Sequence, residues 1–481
     1  MSRWLRLAPM VAAAAVALVG VVGAQAPDRT KPPVPGQPPS LKVPAIQKRT
    51  LANGVPVWIM EAHEVPLVQV NLVVLAGSAD DPAGKYGIAN LTSAMLDEGA
   101  GSRSSIEIAD TIDGLGATLA VASGVDSSGV RLNVPIGKLQ AALPVMADVA
   151  LRPTFPAADL ERVREERLTS LLQTRDEAAS LAALAFSRAV FGPTHRYGTG
   201  TMGTPATVKG FTRDDLVAFH KAHYVPGKAT LLVIGDVTPD SVLPLLQQQF
   251  GGWTGKGAPR ASLPVPPQVS RRRVVVVDKP GAPQSQIRMG WVGVPRSTPD
   301  AFALEVMNTM LGGAFSSRLN ANLREEHGYT YGAYSAFDMR RVAGYFSAQA
   351  GVQTDKTAEA VKEFFNEFTR ITTFETDELA RVKNNIALGY PAEFETSTQL
   401  SRKLEDVLVH RLGDNYFDRY VGRIQAVTGE QVQKAALRHL EASRFIVVIV
   451  GDRAKIEAGV AALKLAPSVE TMTVDDVLGG S

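Results

Sequence analysis

Residues 231–236, LLVIGD, form an apolar run that ends in a Gly-Asp pair, and residues 447–452, VVIVGD, repeat it. The interval between the two Gly-Asp pairs equals the interval between Thr212 and Thr428, each of which precedes a helical pattern that leads into its run. A short run of β-branched residues and leucine that is bounded by glycine is typical of a buried strand. A helix and a strand that recur together at one spacing predict two copies of a single domain.

A second pair of matching segments supports the repeat near the start of each copy. Met95-Leu96 in AMLDEGA corresponds to Met310-Leu311 in TMLGGA, at almost the same interval. Strand-like runs alternate with longer patterns that carry apolar residues at helical spacing. The predicted strands are 55–59, 68–74, 130–134, 274–277 and 345–350, and the predicted helices are 157–172, 177–190, 357–369, 376–388 and 397–410. We therefore expect an α+β fold, a tandem duplication of a domain with a mainly antiparallel sheet covered by helices.

The ends and the middle of the chain differ in composition from the two copies. Residues 1–26 contain two arginines, an apolar run and then small residues, which is typical of a signal peptide, and residues 27–44 form a flexible segment rich in Pro, Lys and Gln. The remaining divisions are an N-terminal domain at 45–250, a linker rich in Pro, Gly and Ser at 251–268, a C-terminal domain at 269–465 and a tail at 466–481.

The predicted signal peptide indicates an exported protein without a stable membrane anchor after cleavage. Its apolar run, residues 11–19, is shorter than the roughly 20 residues that cross a bilayer, so an uncleaved anchor is the less favoured alternative. We expect the mature chain in the periplasm, with secretion as the alternative.

The composition excludes several classes of function. A chain of 481 residues with a formal net charge of +2 and no long basic run lacks the electrostatic footprint of a nucleic-acid-binding protein. It has no cysteine, which removes disulfides, thiolate zinc sites and cysteine nucleophiles. No G-x-S-x-G elbow and no Walker or dinucleotide motif occurs, which disfavours serine hydrolases and cofactor enzymes.

Residues 77–100, GSADDPAGKYGIANLTSAMLDEGA, resemble the zinc-motif segment of the pitrilysin/insulinase-type metallopeptidases. In that family H-x-x-E-H places two zinc-binding histidines on one face of a helix, and the glutamate activates the metal-bound water. The corresponding residues here are Asn90, Ser93 and Ala94, and the family's third ligand, a glutamate, falls near Ser170-Leu171. Alanine has no donor atom, serine is not a base near neutral pH, and a lone asparagine is a poor zinc ligand. The resemblance therefore implies a degenerate site, with no zinc and no catalytic residue in this chain.

Two other groups of polar residues have simpler interpretations. His220 and His223 are three apart on a predicted helix and could face one ligand, but no third ligand is evident, so packing at a helix end is favoured. Three glutamates and three arginines on the predicted helix 157–172 are interpreted as a solvated face with ion pairs along the helix. They are Glu161, Arg162, Arg164, Glu165, Glu166 and Arg167.

The second copy contains a motif that resembles the family's other signature. Residues 310–319, MLGGAFSSRL, lead to residues 323–335, LREEHGYTYGAYS. Gly328 can end the helix that carries Arg324, and Tyr331 then begins a strand, so the two polar groups can converge on one cleft. A guanidinium donates to peptide carbonyls, and a phenol donates to the oxyanion of amide hydrolysis. The resemblance makes Arg324 and Tyr331 substrate-binding residues, whereas the alternative is an ion-paired arginine and a packed tyrosine.

Some members of this family divide H-x-x-E-H and the Arg/Tyr pair between paralogous chains. The resemblance therefore implies a zinc-free, substrate-binding subunit of a heterodimeric peptidase, inactive alone, which needs no cofactor of its own because zinc is expected in an H-x-x-E-H partner subunit. Its substrates would be peptides. The alternatives are a non-enzymatic scaffold of the same fold and a self-sufficient module that binds extended peptides by strand addition.

Overall fold

The computed structural model describes residues 42–479. The signal peptide predicted at 1–26 and most of the flexible segment predicted at 27–44 lie outside the described residues. None of the helices formed by residues 42–479 combines the length and the apolar composition needed to cross a bilayer.

The N-terminal domain contains eight strands, six of which form one sheet. Its strands are β1 (Gln47–Thr50), β2 (Pro56–Glu61), β3 (Leu67–Val74), β4 (Gly99–Ala100), β5 (Arg103–Ser104), β6 (Thr118–Ser123), β7 (Ser128–Pro135) and β8 (Ala229–Gly235). The short strands β4 and β5 pair with each other, and the other six lie in the order β1-β2-β8-β3-β7-β6. Strand β8, which contains most of the LLVIGD run, lies inside the sheet and is buried along its whole length.

The C-terminal domain contains a second six-stranded sheet. Its strands are β9 (Arg273–Asp278), β10 (Gln284–Val292), β11 (Thr330–Asp338), β12 (Tyr345–Gln353), β13 (Ile446–Gly451) and β14 (Val469–Met472). They lie in the order β11-β12-β10-β13-β9-β14. Strand β13, the counterpart of β8, is likewise buried along its whole length.

Five strands of each sheet have the same connectivity, and only the edge strands β1 and β14 differ. Strands β2, β3, β7 and β8 begin at Pro56, Leu67, Ser128 and Ala229, and their counterparts β9, β10, β12 and β13 begin at Arg273, Gln284, Tyr345 and Ile446, at one constant interval along the chain. In each sheet one inner pair is parallel, β2 with β8 and β9 with β13, while the pairs that follow toward β6 or β11 are antiparallel. The predicted α+β fold and tandem duplication are therefore confirmed.

Helices pack on both sheets. In the first domain they are α1 (Ile88–Ala94), α2 (Ser105–Gly114), α3 (Leu139–Leu151), α4 (Ala157–Asp176), α5 (Ala178–Phe191), α6 (Pro205–Gly210), α7 (Arg213–His223) and α8 (Pro239–Phe250). In the second they are α9 (Ala301–Asn308), α10 (Arg318–Asn320), α11 (Thr357–Arg370), α12 (Thr376–Gly389), α13 (Ser397–His410), α14 (Tyr416–Ala426), α15 (Gly429–His439), α16 (Arg453–Ala462) and α17 (Val474–Leu478). Two π-helical segments, Thr309–Gly313 and Ala321–Glu326, follow α9 and α10. All five helices predicted from the sequence are present.

Each domain covers the second face of the other domain's sheet with one helix. Helix α5 packs on β10 and β13, where Phe186 joins a cluster with Val275 and Val448. Helix α13 packs on β3 and β8, where Leu404 joins a cluster with Leu232 and Ile234. The opposite faces of the same strands face the helices of their own domain. Because strand residues alternate between the two faces, this exchange explains why β8 and β13 are apolar at nearly every position.

A buried aspartate ties the linker and both domains together. The backbone oxygen of Asp126 accepts a hydrogen bond of 2.7 Å from Arg260, which lies in the predicted linker. Its carboxylate accepts one of 3.3 Å from the hydroxyl of Tyr197 in the first domain and lies 3.3 Å from Nε of Arg341 in the second. Charged groups are tolerated at this buried place because they are paired.

The end of the chain differs from the predicted tail at 466–481. Residues Val469–Met472 form β14, which pairs in parallel with β9 and extends the second sheet. Helix α17 follows and packs against α5, with Val477 and Leu478 buried in the cluster that contains Phe186. A strand of four residues is too short for its alternation of apolar and polar residues to be recognised in the sequence. Its hydrogen bonds to β9 hold these residues in the extended conformation.

We expect Phe186→Ala to lower the free energy of unfolding by about 3–5 kcal/mol and Leu404→Ala by about 2–5 kcal/mol, because each leaves a cavity between one domain's helix and the other domain's sheet. Urea denaturation followed by circular dichroism gives both values. Leu172→Ala is the matched control, since Leu172 is 61% exposed on α4 and its loss should cost less than about 0.5 kcal/mol. Two separate unfolding transitions, only one of which responds to Phe186→Ala, would contradict the shared core.

Candidate functional site

Helix α1, which contains the degenerate zinc motif, is anchored at its N-terminus by a buried aspartate. Asp81 accepts hydrogen bonds from the backbone N–H groups of Gly87 at 2.7 Å and Ala89 at 3.0 Å. Burial raises the pKa of Asp81 to about 7, although these two N–H groups favour the charged form. Gly87 has a φ of 95°, and a Cβ atom there would lie 2.6 Å from the backbone nitrogen of Gly203, so only glycine fits.

The three degenerate positions lie close together on α1 and offer little to a metal. Asn90 is partly buried, and its amide nitrogen donates to the backbone oxygen of Ser123 at the end of β6, at 3.4 Å. Ser93 is only 2% exposed, and its hydroxyl oxygen is enclosed by protein. Ala94 is partly buried and contributes a methyl group to the apolar cluster of the first domain. One amide oxygen is thus the only oxygen ligand that the three side chains could offer from an accessible position.

The side chain that reaches Asn90 from helix α4 is an arginine. The guanidinium of Arg167 donates to the amide oxygen of Asn90. Burial lowers the pKa of Arg167, and none of the described residues places a carboxylate within ion-pairing distance of it. Ser170, expected near the family's third ligand, instead donates its hydroxyl to the backbone oxygen of Glu166 at 2.9 Å, and Leu171 is buried. A fixed cation therefore lies beside the degenerate motif.

Sequence reasoning missed this role of Arg167, because the glutamates around it suggested an ion-paired, solvated face. That interpretation holds for Arg162, which lies 2.8 Å from Glu166. It is only partly right for Arg164, which lies 3.0 Å from Glu161 but is itself buried and donates to the backbone oxygen of Phe211 at 2.8 Å. The signal that distinguishes Arg167 is its position one turn before the expected ligand, on the helix face that points to α1.

The two histidines considered as metal ligands are engaged in packing and hydrogen bonds. Nε2 of His220 donates to the backbone oxygen of Ala150 at 2.9 Å, and its ring stacks on Tyr224. Nδ1 of His223 lies 2.9 Å from Nζ of Lys228, and burial together with that cation lowers the pKa of His223 to about 4. Nowhere in residues 42–479 do three His, Cys, Asp or Glu side chains form a group able to hold a metal ion.

The segment that contains Arg324 and Tyr331 leads into β11, an edge strand of the second sheet. Arg324 lies in the π-helical turn Ala321–Glu326, which ends before Gly328, a glycine with a φ of 65°. Strand β11 starts at Thr330, and its pairing with β12 is interrupted between Thr330 and Ala333. Tyr331 lies in this bulge. It is 91% exposed, and its hydroxyl makes no hydrogen bond with any described residue.

Arg324 is held in place by contacts with two neighbouring side chains. Its guanidinium lies over the ring of Phe315, 4.3 Å from the ring centre, and its Nε is 3.3 Å from the carboxylate of Glu325. Phe315 is itself 69% exposed. A guanidinium stacked on a ring keeps its in-plane N–H groups available for acceptors. Arg324 and Tyr331 thus present donors to the outside from one short segment, and no hydrogen bond joins their side chains within the described part of the chain.

Comparison with protein families gives two matches, the second of which begins inside the first domain. Residues 57–194 match the model of the Insulinase family (Peptidase family M16), and residues 210–386 match the model of the Peptidase M16 inactive domain. The first range contains the degenerate positions on α1 together with Arg167. The second contains Arg324 and Tyr331.

Individual relatives extend the similarity over both domains. An uncharacterized zinc protease from Mycobacterium leprae is 28% identical over 320 residues, which are 66% of this chain and 71% of that protein. One from Mycobacterium tuberculosis is 26% identical over 436 residues, 87% of this chain and 95% of that protein. The crystal structure of a peptidase M16 inactive domain from Pseudomonas fluorescens is 26% identical, has a TM-score of 0.79, and is matched over 84% of this chain and 98% of its own.

We expect the wild-type protein, after dialysis, to contain far less than one zinc ion per chain by elemental analysis. Replacing Asn90→His, Ser93→Glu and Ala94→His together should not restore binding, because the Arg167 guanidinium remains beside the new histidine and repels the metal. Adding Arg167→Glu supplies a carboxylate in its place and should give about one zinc per chain, with a zinc-dependent rise in melting temperature. Stoichiometric zinc in the triple variant would show that Arg167 does not block the site.

Proposed function

Because the chain belongs to the insulinase-like metallopeptidases of family M16, we propose that it is the zinc-free, substrate-binding subunit of a heterodimeric peptidase. It supplies Arg324 and Tyr331 to an active site that a paralogous H-x-x-E-H subunit completes with zinc. Its own substrates are peptides, which it binds but does not cut alone. The zinc of the partner, when bound, activates the attacking water and polarises the scissile carbonyl.

The observation that carries this proposal is the exposure of Tyr331. A tyrosine that is 91% exposed and makes no hydrogen bond with the described part of its own chain contributes almost nothing to folding. The bulge in β11 that displays it interrupts the ladder and so weakens the sheet locally. A side chain presented in this way is available to a second molecule, and a phenol within reach of a scissile carbonyl can donate to the developing oxyanion.

Arg324 supports the same assignment. Its stacking on Phe315 and its contact with Glu325 restrict the guanidinium while a third of the side chain stays exposed. A restrained guanidinium loses less conformational entropy when it binds a peptide carbonyl than a free one does. Holding the substrate backbone in one orientation is the contribution expected of a residue that is not itself a nucleophile.

A non-enzymatic scaffold of the same fold is the second candidate. The degenerate motif on α1 favours it, since Asn90, Ser93 and Ala94 give the first domain no metal-dependent chemistry. A scaffold, however, has no use for an exposed Tyr331. The same proposal places the protein in the periplasm, on the strength of the signal peptide predicted at 1–26.

The test is cleavage of a quenched fluorescent peptide by this chain, by an H-x-x-E-H paralogue encoded in the same genome, and by their mixture. We expect activity only in the mixture. Tyr331→Phe should lower kcat/KM of the mixture by about a hundredfold to a thousandfold, because the oxyanion loses one donor, while its melting temperature stays unchanged. Tyr334→Phe is the matched control, since Tyr334 is on the same strand and 53% exposed, and it should retain activity.

Two results would contradict the proposal. Zinc-dependent cleavage by this chain alone would mean that the first domain is not degenerate. A mixture that forms a stable complex with the zinc-bearing paralogue yet is indifferent to Tyr331→Phe and to Arg324→Ala would favour the scaffold.

A further inference from the structure

We infer that Arg167 forms an oxygen-anion site in the first domain that binds the C-terminal carboxylate of a peptide. This inference rests on the proposed function, since it names the class of peptide that the subunit holds: one with a free C-terminus. The site lies where helix α4, helix α1 and the end of strand β6 meet, in the domain that does not contain Arg324 and Tyr331.

The first argument is the unmatched charge of Arg167. The other three arginines of helix α4 have carboxylate partners: Arg162 with Glu166 at 2.8 Å, Arg164 with Glu161 at 3.0 Å and Arg175 with Asp475 at 2.6 Å. Arg167 has none among the described residues, although it is partly buried, and this burial lowers its pKa. A half-buried cation without a counter-charge is costly, and an anion that enters the site recovers that cost.

The second argument is the set of donors that Arg167 leaves free. A guanidinium has five N–H groups, and the only one seen to donate to the described residues goes to the amide oxygen of Asn90. None of the Arg167 nitrogens is both fully buried and without a partner within residues 42–479, so the nitrogens that do not donate to Asn90 keep some accessible surface. Their planar fork matches the two oxygens of a carboxylate, whereas a single peptide carbonyl would use only one side of it.

The third argument is the neighbouring sheet edge. Strand β6 is one of the two edge strands of the first sheet, and it runs toward Ser123, whose backbone oxygen accepts a hydrogen bond from Asn90. An unpaired edge can accept an extended peptide by main-chain hydrogen bonds. A peptide that lies along β6 with its C-terminal end toward Ser123 brings its carboxylate to Asn90 and Arg167. Main-chain hydrogen bonds to β6 would bind a peptide of any sequence, and the Arg167 guanidinium would favour a peptide whose C-terminal carboxylate is free.

Asn90 is a positioning residue in this arrangement. Its amide accepts from Arg167 and donates to Ser123, so it connects the guanidinium to the end of the strand. Its oxygen is neutral, which leaves the positive charge of Arg167 intact for a ligand. A carboxylate at position 90 would pair with the guanidinium and close the site.

The experiment measures binding of two extended peptides of one uncharged sequence, labelled at the N-terminus, one with a free C-terminal carboxylate and one with a carboxamide. Fluorescence anisotropy on the isolated full chain should give a Kd for the carboxylate peptide that is about tenfold to a hundredfold lower than for the amide. Arg167→Gln should abolish that preference by weakening only the carboxylate peptide. Asn90→Asp should do the same while keeping Arg167 in place.

Arg162→Gln is the matched control, since it removes an ion-paired arginine from the same helix and should keep the preference. Equal Kd values for the two peptides on the wild-type chain, or no binding of either, would overturn the inference without any need for a variant. So would a preference that survives both Arg167→Gln and Asn90→Asp. These outcomes are separate from the failure of the proposed function, which is read from cleavage by the mixture and its response to Tyr331→Phe.

Discussion

The structure depends on covering both faces of β8 and β13. Both strands are buried along their whole length, so each sheet needs one layer of helices on either side. Each domain supplies one layer for itself and borrows the other: α5 covers the second sheet, and α13 covers the first. At Gly290 in β10 a Cβ atom would lie 2.9 Å from the ring of Phe186, so the fit between the domains is close. Neither domain can bury its sheet alone, which makes the duplicated unit a half of the fold rather than an independent one.

The exchange of helices between the two domains determines which parts of the sheets remain accessible to a ligand. Both faces of the inner strands are covered by helices. The polar residues considered for function therefore lie at the edge strands. Strands β6 and β11 are the equivalent edges in the two copies. Asn90 and Arg167 lie at the end of β6, and Tyr331 lies in the bulge of β11. The two copies therefore display different chemistry at opposite ends of equivalent edge strands: a restrained cation at the end of β6 in the first and an arginine with a free phenol at the start of β11 in the second.

Those features that depend on local pattern could be predicted from the sequence. The paired runs LLVIGD and VVIVGD identified the repeat because a strand buried on both faces must be apolar throughout, and long helices such as α4 and α13 carry many turns of periodic signal. The degenerate motif and the Arg324/Tyr331 segment were found by resemblance, and the structure shows where they lie without testing their roles. The borrowed helices, the pairing of β14 and the contact of Arg167 with Asn90 depend on which distant segments meet. The sequence does not show which distant segments are in contact, so Arg167 and Arg162 both look like ion-paired surface arginines. In the structure Arg162 has a carboxylate partner, and Arg167 has none among the described residues.

The guanidinium of Arg167, which lies beside the degenerate motif, cannot supply the chemistry of a metal to the first domain. A guanidinium and a zinc ion are both cations that attract the oxygens of a peptide. A guanidinium, however, has no open coordination position and cannot lower the pKa of a water molecule to about 7, as zinc does. Arg167 can thus hold a substrate oxygen and cannot generate a nucleophile. Tyr331 and Arg324 can stabilise the charge that develops on a carbonyl, which has effect only after a nucleophile attacks. Under the proposed function each copy retains the binding half of the chemistry, and the water that attacks must come from the zinc of another chain.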